Sequence, residues 1–82
     1  MPSAEQFSMA FEEARFVRVE ENLELIFVWQ GSDLVNIYSL DLEAVDCFSC
    51  GKGRFEGLDR QEVEIRVESF IRNIYKEENE DV

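Results

Sequence analysis

The chain has 82 residues, 19 of them acidic, 8 basic and none histidine, for a formal net charge of −11. Hydrophobic residues make up 45%, too many for a disordered acidic chain, and the length allows one small core and no more. An enzyme built from separate cofactor and substrate domains is excluded, and so large a negative charge sets the chain against nucleic acid and anionic membranes as direct partners.

The first element is expected to be a helix. Ser3 can cap it, Gln6 completes a capping box, and Phe7, Ala10, Phe11 and Ala14 follow at helical spacing. The pattern then changes to alternation. Phe16 to Glu20 reads as a strand, and Glu21-Asn22 as a tight turn. Leu23 to Gln30 is the next strand, with Leu23, Leu25, Phe27 and Trp29 on one face and Ile26 and Val28 on the other. Apolar residues on both faces mark a central strand. A turn over Gln30-Gly31-Ser32-Asp33 leads to a third strand, Leu34 to Leu40.

Residues 41–50 are ambiguous between a short strand, Ala44 to Cys50, and a helical turn, Leu42 to Phe48. Val45, Cys47 and Phe48 favour the strand. Gly51 to Gly57 reads as a loop. Asp59 with Glu62 is a second capping signature, after which Val63, Val67, Phe70, Ile71 and Ile74 fall on one helical face. Val63, Ile65 and Val67 also alternate as in a strand, but the helical pattern accounts for more positions and leaves only Ile65 on the polar side.

The expected architecture is α+β: an N-terminal helix, a three- or four-stranded antiparallel meander, and a C-terminal helix packed on one sheet face. Both helical stripes are expected on that face, leaving the other exposed or available to a partner. Residues 1–76 are expected to form one compact acidic domain, with 77–82 as an acidic tail. Residues 1–30, 31–58 and 59–82 contribute −4, −3 and −4, so the charge is spread through the body and not confined to the tail. The stretch Met1 to Ala10 has no basic and long apolar run of an export signal, and the longest apolar run, Leu25 to Trp29, is far short of a membrane span. A cytoplasmic location with free thiols is expected.

Several motifs hold side chains capable of chemistry. Cys47-Phe48-Ser49-Cys50 is a CxxC, open to redox use or to half of a zinc site. The chain offers no histidine to complete the metal shell, and a glycine-rich loop follows where a redox motif has a helix. Cys47 and Cys50 are therefore weak metal candidates beside the plain reading of two small thiols near a strand end. Gly51-Lys52-Gly53-Arg54 has the makings of an anion cradle but not the Walker sequence. Asp33, Asp41, Glu43 and Asp46 do not follow the spacing of a calcium loop. No cofactor is implied, and no catalytic activity.

Distributed carboxylates are the stronger lead. Asp41 and Glu43 at strand spacing, Glu64 and Glu68 at helical spacing, Glu20, Glu21 and Glu24 around one hairpin, and Asp46 nearby could form an array resembling backbone phosphates. The plain alternative is a solvated surface. Ile65 on the polar helical face, with Trp29 and Tyr38 near strand ends, could anchor an interface or, for the aromatics, complete the core.

In size, charge and α–β–α order the chain resembles small acidic inhibitors of phage or immunity type, a general likeness that does not fix function. The resulting expectation is a non-catalytic, anti-CRISPR-like nucleic-acid mimic from a phage or mobile element. It would occupy the basic groove of a defence nuclease or other nucleic-acid enzyme, as a monomer or homodimer. The alternatives are an immunity or adaptor protein that binds through its sheet face and aromatics, and a module that uses its CxxC for zinc or redox.

Overall fold

A computed structural model describes residues 11–49 and 59–79. Four strands, β1 (Phe16–Glu20), β2 (Leu25–Trp29), β3 (Leu34–Ser39) and β4 (Ala44–Ser49), form an antiparallel sheet in chain order, followed by one helix, α1 (Arg60–Asn79). The α+β class and the antiparallel meander are as the sequence predicts, and residues 44–49 take the strand alternative. The expected N-terminal helix lies mostly outside the described residues, as do Cys50 and the Gly51 to Gly57 loop.

The register assigns the faces. Phe16 opposes Trp29, Arg18 opposes Phe27, Phe27 opposes Ile37, and Val35 opposes Phe48. These residues share the face covered by α1, where Phe16, Phe27, Trp29, Val35 and Ile37 meet Val63, Val67 and Ile71 in one buried cluster. Three phenylalanines extend it toward β4. Phe27 meets Phe70 edge-on at 5.8 Å, and Phe70 stacks on Phe48 at 4.5 Å with the planes 7° apart.

The opposite face is not left open as expected. Ile26 and Val28 are fully buried there, packed by Val17, Val19, Tyr38, Leu40, Phe11 and Ala14. Phe11 and Ala14, the described end of the first helical stripe of the sequence, therefore pack on the face opposite α1. The reason lies in β2: a strand apolar on both sides needs cover on both sides.

The ends of the elements have local causes. Asp59 caps α1, its Oδ1 accepting the Glu62 N–H at 2.8 Å and its carbonyl the Val63 N–H at 3.2 Å. The helix runs on through Glu77 and Glu78, so the first residues of the expected tail form its last turn. The turn after β1 is longer than the two residues predicted. Glu21–Leu23 form a single 3-10 turn and Glu24 takes a left-handed conformation (φ 57°), which delays β2 to Leu25. At the other end Gly31 has φ 102°, and a Cβ there would lie 3.1 Å from Arg15 Nε, so glycine suits both the conformation and the space.

Candidate acidic binding surface

Strand polarity decides where the acids go. β1 and β3 end at Glu20 and Ser39, while β2 and β4 begin at Leu25 and Ala44, so both hairpin turns, 21–24 and 40–43, lie at one end of the sheet. The last turns of α1 lie there too, because the Tyr75 hydroxyl donates to Glu20 Oε1 at 3.0 Å. Its first turn lies at the far end, where the Arg60 guanidinium carbon stands 6.0 Å from the centre of the Phe16 ring. One end therefore gathers Glu21, Glu24, Asp41 and Glu43, all exposed, with Glu77 and Glu78 in the closing turn of α1. The C-terminal half-charge of the helix dipole adds to the same potential. Turn acids two strand spacings apart, roughly 10 Å, bracket this end.

The eight carboxylates singled out from the sequence thus divide. Glu21, Glu24, Asp41 and Glu43 are solvated at the acidic end. Glu20 shares that end but is engaged in the fold: its side chain is only 16% exposed and accepts from Tyr75 and, at 3.2 Å, from Arg18. Glu68 is likewise engaged, bridging Arg18 at 2.9 Å and Arg72 at 3.5 Å. Asp46 sits on β4, where its Oδ1 accepts the Cys47 N–H at 2.8 Å. Glu64 is exposed on α1, away from the turns. With Arg18 and Arg72 committed, Lys76 is the one cation toward the acidic end that makes no ion pair among the described residues.

Two ionisable side chains feel the same network. Burial works against the Arg18 charge, but hydrogen bonds and charge from Glu68 and Glu20 outweigh it and raise the guanidinium pKa further. Desolvation, reinforced by the hydrogen bond to Glu20, raises the Tyr75 phenol above its ordinary value, with a smaller opposing effect from Asn22.

The apolar candidates also divide. Trp29 is 2% exposed and gives its indole N–H to the Ser32 carbonyl at 2.7 Å, so it completes the core and closes the β2–β3 turn, leaving almost no surface for an interface. Tyr38 is half-buried on the second face, its ring 5.0 Å from that of Phe11. Ile65 alone stands out, 59% exposed among Gln61, Glu64, Glu68, Ser69 and Arg72.

What sequence reasoning missed is the split between engaged and free carboxylates. Arg18 and Tyr75 produce it. Arg18 was legible as a cation on the core-facing register of β1, but its partner lies 50 positions away. Among the described residues no three His, Cys, Asp or Glu side chains are grouped to hold a metal ion, and no helix is long and apolar enough to cross a membrane. Cys47 is an exposed free thiol. Comparison with known proteins finds no matching family model, no matching curated protein and no matching solved structure.

Proposed function

We propose that the chain is a non-catalytic binding protein whose acidic end enters the basic nucleic-acid groove of a nuclease or other nucleic-acid enzyme. It would act there as a nucleic-acid mimic, as a phage or mobile-element inhibitor does. The observation that carries this reading is the convergence of Glu21, Glu24, Asp41 and Glu43 at one end of the sheet, exposed and without ion pairs among the described residues. A surface charged only for solubility has no need to bring its acids together. Mutual repulsion costs stability, and the negative end of α1, carrying Glu77 and Glu78, adds to it. A basic groove would relieve that repulsion on binding and draw the acidic end in at long range.

Of its three apolar candidates the adaptor alternative keeps Ile65 as an exposed anchor, since Trp29 is in the core and Tyr38 packs on Phe11. The test is binding of the full chain to a panel of purified nucleases, with and without competing duplex DNA, at about 50 and 200 mM salt. The proposal expects capture by at least one member that DNA displaces and salt weakens. Capture indifferent to both would overturn it.

A further inference from the structure

A second surface, remote from the acidic turns, lies where α1 overlooks the outer edge of β4. Phe48, Ser49, Arg66, Ser69, Phe70 and Asn73 line a cleft of about 270 Å³ there. The stacked rings of Phe48 and Phe70 are part of its lining. Arg66 shares the lining, half-buried, and makes no ion pair among the described residues although acids outnumber bases by 11 in the chain.

Among the described residues β4 is the outer strand of the sheet on this side. β4 carries no lysine and no proline, the usual guards of an open edge, and its single charge is Asp46. The outer side of the strand can be read from one hydrogen bond. The Cys47 N–H goes to Asp46 Oδ1, so it is not spent on β3 and faces outward. Asp46 and Phe48 pair with Ile37 and Val35 and so lie on the face covered by α1.

We infer that β4 pairs antiparallel with β4 of a second copy of the chain, about a two-fold axis at Cys47, with Asp46 of each copy entering the Arg66 cleft of the other. With Cys47 opposite Cys47, Phe48 of one copy stands opposite Asp46 of the other. Directly opposed residues share a face at a Cβ separation of about 5 Å. The incoming carboxylate therefore arrives beside the Phe48 ring, under Arg66. The Cys47 N–H exchanges its intrachain carboxylate for the carbonyl of the facing Cys47, which frees Asp46 for the cation. A two-fold interface must be complementary to itself, and a strand carrying one acid beside a cleft holding one unpaired cation meets that condition. Val45, the extra residue where the β3–β4 register shifts, keeps the paired stretch short, so the dimer is small and concentration-dependent. This inference does not depend on the acidic end.

The experiment uses the full chain with Cys50→Ser, which leaves Cys47 as its one thiol. Sedimentation from micromolar to millimolar concentration is combined with dibromobimane, which becomes fluorescent on bridging two close thiols. The expected result is a mass that rises from one chain to two, with a fluorescent covalent dimer. Asp46→Arg and Arg66→Asp should each reduce the bridged product at least tenfold, and the double exchange should restore it, with circular dichroism unchanged throughout. A single-chain mass at every concentration, or bridging that survives Arg66→Asp, overturns the inference. So does capture of a foreign extended peptide at β4 without dimer formation.

Discussion

Glu20 and Glu21 are adjacent acids at the same end of the sheet, yet the structure gives them opposite roles, and alanine substitution separates them. The Glu20 side chain is 16% exposed, with Arg18 at 3.2 Å and the Tyr75 hydroxyl at 3.0 Å. Removing it takes the acceptor from a half-buried phenol and leaves Arg18 with Glu68 alone. The phenol is partly exposed and water can take the place of the lost acceptor, so the hydrogen bond is worth about 0.5–1.5 kcal/mol, and the ion pair, with Arg18 35% exposed, adds a screened contribution of under about 1 kcal/mol. A total of about 1–2 kcal/mol lowers the midpoint of a domain this size by about 4–16 °C. Glu21 is exposed and its side chain holds nothing in place, so Glu21→Ala should stay within about 0.5 kcal/mol of the native chain. Thermal unfolding followed by far-UV circular dichroism measures both. Equal midpoints for the two variants would refute the division of the acids into engaged and free.

Other expectations follow from the same contacts. Phe27 is fully buried and meets both Phe48 and Phe70, so Phe27→Ala should cost about 3–5 kcal/mol, most of the stability of a domain this small, and urea unfolding should show little folded baseline. Leu42 holds a left-handed backbone (φ 68°) while 44% exposed, so Leu42→Gly should raise stability by up to about 1 kcal/mol; an unchanged or lower melting point would count against strain there. Tyr75 has its pKa raised in the folded state, so the stability it contributes is present below pH 10 and is lost as pH climbs through the higher folded value. An ultraviolet titration should show a phenol ionising above the ordinary value, and Tyr75→Phe should remove that component.

Much of the fold was legible because β2 and α1 carry strong periodic signals. Five apolar residues alternating to both faces placed β2 at the centre of the sheet, and Val63, Val67, Phe70 and Ile71 fixed the buried side of α1. The competing alternation of Val63, Ile65 and Val67 was decided by the outcome at Ile65: a strand would have paired it with the core, and it is 59% exposed. The long turn after β1 was hidden because it depends on Glu24 adopting a left-handed backbone, which its residue type does not announce. Cover on both sheet faces was implied by β2, yet nothing in two amphipathic stripes marks which face each takes, and the expectation of both on one face fails for Phe11 and Ala14. At the candidate site, net charge and turn positions signalled an acidic cluster. The engagement of Glu20 and Glu68 depends on contacts 55 and 50 residues apart, which local patterning does not carry.

Glu21, Glu24, Asp41 and Glu43 carry the proposed binding, and neutralising them isolates that role. A nuclease captured by the native chain is offered a variant with those four neutralised to Gln or Asn, and affinity is followed from about 50 to 200 mM salt. The variant should keep its fold, lose at least tenfold in affinity at low salt and show a flatter salt dependence. Undiminished affinity with an unchanged salt slope would mean that these four carboxylates are not the binding surface.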